Sequence, residues 1–163
     1  MPETVLPVPV MAQELRLWCW AAITSGVSQF GGSPAVFSQC EVATRVIGTS
    51  CCTSPGACNL PRDLDAAIQS IPLPCPVALQ IPFATLAGRI VDAGRPVGLR
   101  MLNRFDLSAN FILVTGCDPE VQTVICTDPW GTVGAAAPRY RMNFTALSNY
   151  GGWGQWTHSF LIG

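Results

Sequence analysis

Charged residues and histidine are both scarce in this chain. Of its 163 residues, 12% are Asp, Glu, Lys or Arg, and His158 is the single histidine. That charged share is about half of the usual one, and the formal net charge is −1. Because no basic run or patch is present to neutralise phosphates, the sequence excludes a nucleic-acid-binding protein. The low charge also favours an apolar surface that meets a protein partner or an apolar substrate.

Long apolar runs are missing as well. No segment reaches about 18 uninterrupted apolar residues, so we expect no membrane span. The first ten residues lack the basic start of an ordinary signal peptide and contain three prolines. We therefore expect residues 1–12 to form an extended arm that lies across a single domain spanning residues 1–163.

Cysteine, by contrast, is abundant, with eight residues in the chain. Four of them lie close together in the sequence: Cys40, Cys51, Cys52 and Cys58. These four can form two disulfides, in which Cys51 and Cys52 each pair with Cys40 or Cys58 because adjacent cysteines do not easily bond each other. A zinc site fits the spacing poorly, and free thiols are the other alternative. The spacing favours disulfides, and we predict no metal and no cofactor.

The hydrophobic period changes from helical to strand-like along the chain. Four helices are predicted: at 18–30, from Ser33-Pro34 to a stop at Gly48, from about 59 to 68, and at 83–91. From residue 96 onward, apolar residues alternate or form short runs, which predicts strands near 97–101, 111–115, 121–127, 140–144 and 156–162. A mainly helical half at 13–95 followed by an antiparallel sheet half at 96–163 makes this an α+β domain.

The stretch from Gln13 to Cys19 has the chemistry of an acyl-transfer site. Cys19 opens the first predicted helix, where unpaired N–H groups and the helix dipole favour a thiolate. Gln13, six residues earlier, has a side-chain amide that can stabilise an oxyanion formed beside that thiolate. In isolation, a cysteine between Trp18 and Trp20 is more often a buried packing residue.

Segments along nearly the whole chain carry a family resemblance. They are Gln13 with Trp18-Cys19-Trp20, Gln39-Cys40, Cys51-Cys52, Cys58-Asn59, residues 109–116, Asp128-Pro129-Trp130 and Trp156-Thr157-His158. Together they resemble bacterial papain-like cysteine peptidases, most closely the group that includes the AvrRpt2-type effectors and more distantly the peptidase C39-like proteins. The resemblance implies a papain-like fold whose helical half packs on an antiparallel sheet.

The same resemblance implies roles for individual residues. Cys19 is the nucleophile, and Gln13 is an oxyanion-hole donor together with the backbone N–H of Cys19. Asp128 stands where the family keeps the residue that orients the catalytic histidine. That histidine belongs at position 110, but the chain has Asn110 there.

The substitution at position 110 changes the expected chemistry. An imidazole holds the thiolate as an ion pair and protonates the leaving amine, whereas an asparagine cannot exchange a proton near neutral pH. We therefore expect impaired proteolysis, with activated acyl substrates such as thioesters still able to react at Cys19. His158 shares an alternating face with Trp156 and Phe160, where a histidine is usually structural.

Three function classes follow from these residues. The first is a divergent or inactivated cysteine hydrolase or acyl-transfer enzyme that acts on a peptide or acyl substrate bound near Trp18, Trp20 and Trp130. The second is a pseudoprotease that binds peptides or partners without turnover. The third is a structural domain with a contact surface around Trp153 and Trp156. Disulfides in the cysteine cluster indicate a secreted or effector protein, and their absence indicates the bacterial cytoplasm.

Overall fold

The computed structural model, which describes residues 1–163, is built on an antiparallel sheet of seven strands. The strands are β1 (Thr4–Val5), β2 (Val77–Ala78), β3 (Val97–Asn103), β4 (Ala109–Asp118), β5 (Thr123–Thr127), β6 (Arg139–Asn143) and β7 (Gly154–Leu161). The helices are α1 (Cys19–Phe30), α2 (Gln39–Ile47), α3 (Leu64–Ser70) and α4 (Phe83–Ala87), and α4 continues into a π-helical turn at Gly88–Asp92. Short 3-10 helices lie at Pro55–Cys58 and Phe144–Asn149. None of the helices has the length and apolarity that crossing a bilayer requires.

The sheet carries the sequence-predicted strands with longer or shifted ends. Its strand order is β2-β7-β3-β4-β5-β6, and β1 pairs with β4 outside this path. Each of the five predicted strands is present, and the α+β class is confirmed. The two-residue strands β1 and β2 were not predicted, because so short a segment has no measurable period.

Helix α1 is the central helix of the domain. Ten of its twelve residues are buried, from Cys19 to Ser28. Its apolar side chains join a single core cluster with residues of β3, β4 and β7. The predicted helix at 18–30 is therefore confirmed, and Cys19 is its first residue.

Helix α2 begins five residues later than predicted. Ser38, rather than Ser33, is its N-cap, and it forms a capping box with Glu41. The Ser38 hydroxyl accepts a hydrogen bond from the Glu41 N–H, while the Glu41 carboxylate accepts one from the Ser38 N–H. Two orphan N–H groups are satisfied in this way, which the Ser33-Pro34 pair does not achieve. The predicted stop at Gly48 is confirmed by its left-handed conformation, φ 82°.

Helix α3 also starts later than predicted. Its N-cap is Asp63, and the residues around Pro61 that were expected to begin the helix are irregular. In that irregular segment the Leu60 carbonyl accepts a hydrogen bond from the Trp20 indole at 3.0 Å. Pro61 also disfavours the helical conformation for Leu60, the residue before it, so the helix begins only after this segment.

The N-terminal arm packs between α1 and the sheet. Val8 and Val10 of the arm are buried, and Thr4–Val5 pairs with Cys117 and Gly116 of β4. Two glycines allow this close approach. A Cβ at Gly26 of α1 would lie 2.9 Å from Val10 Cγ2, and one at Gly116 would lie 2.8 Å from the Thr4 carbonyl oxygen.

The cysteine cluster forms two disulfides. Cys40 bonds Cys52, and Cys51 bonds Cys58, so the two adjacent cysteines reach for different partners. Of the three alternatives for this cluster, namely disulfides, a zinc site and free thiols, the structure contains disulfides. They are compatible with an oxidising setting. Cys19, Cys75, Cys117 and Cys126 are free and buried.

A methyl group added at Gly116 should detach the arm from the sheet. We expect Gly116→Ala to lower the free energy of unfolding by about 1–3 kcal/mol, because the Thr4 backbone must move to accommodate the new Cβ. Denaturant unfolding measures the change. The matched control is Gly56→Ala, whose Cβ would meet no atom within 4 Å, and which should stay within about 0.5 kcal/mol of the parent protein. Equal effects of both substitutions would contradict this account of the arm.

Candidate active site

A cavity of about 800 Å³ lies beside the start of α1, at the ends of β3, β4 and β5. The candidate residues Asn110, Asp128 and Trp130 all line it. Aromatic residues add much of the remaining wall, namely Tyr140, Tyr150 and Trp153, and Arg16, Asp106 and Arg141 supply charge. A concave site with apolar walls and a few convergent polar groups is the usual form of a ligand-binding site.

Cys19 lies beneath the start of β4. The backbone of Phe111, the neighbour of Asn110, is close enough to lower the pKa of the thiol, and Asp128 is close enough to raise it. The structure therefore brings positions 19, 110 and 128 to one region. The side chain of Cys19 is only 7% exposed.

The electrostatics of Cys19 differ from the sequence-based expectation. Burial raises the pKa of the Cys19 thiol, and the negative charge of Asp128 raises it further. The backbone hydrogen bonds of Phe111, Trp20 and Cys19 itself lower the pKa but do not offset the loss of solvent. The expectation of a depressed pKa at the helix start is wrong, because desolvation of a thiolate outweighs the effect of the helix terminus.

The side-chain amide of Gln13 is engaged in its own loop. Its Nε2 group donates to the carbonyl oxygens of Leu15, at 3.1 Å, and Arg16, at 2.6 Å. Both N–H bonds of the amide therefore have backbone partners in this structure. The oxyanion-hole role of Gln13 requires the amide to leave these carbonyls, and it stays a prediction.

Gln39 is a site residue that sequence reasoning did not single out for a role. It is buried, its Nε2 donates to the Ala12 carbonyl, and its Oε1 accepts from the Glu14 N–H. It thereby holds the backbone on both sides of Gln13. A glutamine next to Cys40 carries no sequence signal for such a contact, because its partners lie more than 20 residues away.

Asp128 is held in place by two hydrogen bonds. Its Oδ2 accepts from the Tyr150 hydroxyl at 2.8 Å, and its Oδ1 accepts from the Trp130 N–H at 2.9 Å. Burial raises the pKa of the Asp128 carboxyl, while these two hydrogen bonds lower it. Burial, followed by the charge of Asp128, also raises the pKa of the Tyr150 hydroxyl, so Tyr150 stays protonated and donates. Sequence reasoning missed Tyr150.

His158 does not join this constellation. It lies on β7 opposite Arg100 of β3, and its Nδ1 is 3.0 Å from the Thr157 hydroxyl oxygen. The side chains around the cavity do not include it. This position agrees with the structural role that the sequence favoured.

The tryptophans divide between core and cavity. Trp18 and Trp20 are each 1% exposed, and their indoles donate to the carbonyls of Cys58 and Leu60. They pack α1 and do not line the cavity, so a substrate-binding role is left to Trp130, which is 62% exposed. Trp156 is buried as well and forms no contact surface, whereas Trp153 lines the cavity.

A comparison with solved structures identifies the fold. The chain is similar to xylellain, a cysteine protease from Xylella fastidiosa, with a TM-score of 0.55 and 12% sequence identity. The match covers 98% of this chain and 85% of that protein. This likeness shows the fold of a cysteine protease, as the resemblance to papain-like peptidases implied. No protein-family model matches the sequence, and no curated protein does either.

The Tyr150–Asp128 hydrogen bond can be tested by titration. The Tyr150→Phe variant loses a donor that stabilises the Asp128 carboxylate, so the pKa of Asp128 should rise above its value in the parent protein. The ¹³C chemical shift of the labelled carboxyl group, followed against pH, measures this. Tyr140→Phe is the matched control, since the Tyr140 hydroxyl lines the same cavity without bonding Asp128. An unchanged or lower pKa in Tyr150→Phe would argue against this contact.

Proposed function

We propose that this protein is a papain-like cysteine hydrolase of the peptidase type with an incomplete Cys19–Asn110–Asp128 triad. One observation carries the proposal: the start of α1, with Cys19, packs against β4 near Phe111, while Asn110 and Asp128 line a cavity beside the start of α1. In the resembling family, the nucleophile, the histidine and its orienting residue occupy these three positions. The cysteine-protease fold supports this correspondence.

The proposed triad lacks the group that moves protons. The Asn110 amide neither accepts the thiol proton nor donates one to a leaving amine. Asp128 retains the orienting position but has no imidazole to orient. We therefore infer that amide hydrolysis is impaired, whereas acyl groups with good leaving groups, such as thioesters, need less acid catalysis and can react with Cys19.

The cavity supports a peptide or acyl substrate. Trp130, Tyr140 and Trp153 offer apolar surface to side chains, and Asp128 and Asn110 offer acceptor and donor groups to a backbone. The backbone N–H of Cys19, at the first position of α1, is the remaining candidate donor for an oxyanion. Gln13 adds its amide only after it leaves the carbonyls of Leu15 and Arg16.

A second candidate is a pseudoprotease that binds peptides or partners without turnover. Two observations favour it over slow catalysis. The raised pKa of Cys19 keeps the thiol protonated near neutral pH, and the Gln13 amide is occupied. A protonated thiol is a poor nucleophile, so this cleft would bind an extended peptide and release it unchanged.

Restoring the histidine tests the hydrolase proposal. We expect Asn110→His to raise peptide hydrolysis by about 10³-fold or more, because a triad base contributes on the order of 10³–10⁶ to the rate. Hydrolysis of a fluorogenic peptide library and of thioester substrates measures this.

Two variants control for unrelated effects. Asn110→Gln is polar but cannot exchange a proton, and it should stay as inactive toward peptides as the parent protein. Asn110→His combined with Cys19→Ala should lose any activity gained. If Asn110→His binds peptides at the cavity but gains no cleavage, the pseudoprotease is the better account.

The pH dependence of Cys19 alkylation provides an independent test. Since burial raises the pKa of Cys19, iodoacetamide should label it slowly near neutral pH. Labelling should become faster only when the pH exceeds the pKa of an ordinary thiol. Asp128→Asn removes a charge that raises this pKa, so its labelling profile should shift to lower pH. Mass mapping distinguishes Cys19 from the other free cysteines. Rapid labelling of the parent protein below neutral pH would refute the buried-thiol account.

A further inference from the structure

The segment that precedes Cys19 is held from outside by groups on two other segments. On one side, buried Gln39 bonds the Ala12 carbonyl and the Glu14 N–H, each at 2.9 Å. On the other side, Asn59 Oδ1 accepts from the Leu17 N–H at 3.0 Å. Gln39 and Asn59 thus fix the two ends of the segment that leads into α1.

A carbonyl beside Asn59 adds a third contact. The Trp18 indole, directly before Cys19, donates to the Cys58 carbonyl oxygen at 2.7 Å. This hydrogen bond is buried, so breaking it leaves two unsatisfied polar groups in the core. The position of the Cys19 backbone therefore depends on where residues 58–59 lie.

A continuous covalent path joins the two holding residues. Gln39 is followed by Cys40, which bonds Cys52, and the adjacent Cys51 bonds Cys58, which is followed by Asn59. The path runs through two disulfides and three peptide bonds. It limits how far the end of the segment at Gln39 and the end at Asn59 can move apart.

The two disulfides differ in their access to solvent. Cys51 and Cys58 are fully buried, whereas Cys52 is exposed and Cys40 is half-buried. A second cavity, of about 450 Å³, is lined by Cys40, Cys51 and Cys52 together with Trp18 and Gln39. A small reductant meets the Cys40–Cys52 bond first, because Cys52 is the member of the two disulfides that is exposed to solvent.

We propose that Gln39 and Asn59 are positioning residues for Cys19, and that the Cys40–Cys52 disulfide regulates its accessibility by tying Gln39 to the segment that carries Asn59. The assignment rests on the proposed function, in which Cys19 is the reacting group. A dithiol reductant supplies two electrons and two protons: the S–S bond between Cys40 and Cys52 breaks, both sulfurs become thiols, and the reductant becomes a disulfide. The separation between Gln39 and Asn59 is then no longer constrained by the path, and the segment before Cys19 loosens.

The test is the alkylation rate of Cys19 in a variant without the outer disulfide. We expect Cys40→Ser combined with Cys52→Ser to label with iodoacetamide at Cys19 about tenfold faster than the parent protein, because transient opening of the segment exposes the thiol. Mass mapping assigns the label to Cys19 and verifies that the Cys51–Cys58 bond is intact. An unchanged rate at Cys19 overturns the proposal.

A coupling measurement separates positioning from general loss of stability. Gln39→Leu removes both hydrogen bonds to the segment and should also speed the labelling of Cys19. If the disulfide acts through Gln39, the triple variant should label no faster than the larger of the two separate effects. Multiplicative effects would show that the disulfide and Gln39 act independently, and this result contradicts the proposal.

A matched control and a second readout complete the test. Gln80→Leu removes a glutamine-to-backbone hydrogen bond of the same kind, to the Trp156 carbonyl, far along the chain, and should leave Cys19 labelling unchanged.

If the double serine variant does not fold, dithiol titration of the parent protein replaces it, and labelling of Cys19 should rise in step with thiols at Cys40 and Cys52. Alkylation uses no substrate, so a failure to find peptide binding or cleavage does not affect this result.

Discussion

Desolvation of the Cys19 thiol is the constraint on which the rest of the site depends. The helix start that would favour a thiolate in water is here buried beneath β4, and burial raises the pKa of the thiol instead. An enzyme of the resembling family offsets such burial with an imidazolium partner. At this site the backbone groups of Phe111, Trp20 and Cys19 lower the pKa, but they do not offset the cost of the charged form.

Much of the fold serves to hold α1 in place. The N-terminal arm packs against Gly26 on one side of the helix and pairs with β4 at Gly116. The disulfide-linked segment holds the opposite side through the indoles of Trp18 and Trp20. In the proposed function this support keeps the Cys19 sulfur in place, since small displacements of a nucleophile strongly reduce its rate.

The cavity holds an ordered acidic group, Asp128. Tyr150 and the Trp130 N–H hold Asp128 at the edge of the cavity in a single orientation. The aromatic walls and Arg16 remain open to a ligand, whereas Arg141 is paired with Glu3. In the proposed function, such a cleft retains binding more readily than turnover, since the two depend on different groups.

Local patterns in the sequence were sufficient to predict the α+β class, the helix at 18–30, the stop at Gly48 and the strands around Val97 and Phe111. The spacing of apolar residues and the conformational preference of glycine both act over only a few residues, so they can be read from the sequence. The same locality allowed the pairing of Cys51 and Cys52 with separate partners to be foreseen. Only the tertiary structure decided three other features. They are the start of α2 at Ser38, the hydrogen bonds of Gln39 and Tyr150, and the burial of Trp18 and Cys19. Each depends on groups far apart in the chain, and the solvent that a thiol loses on folding cannot be read from its neighbours in sequence.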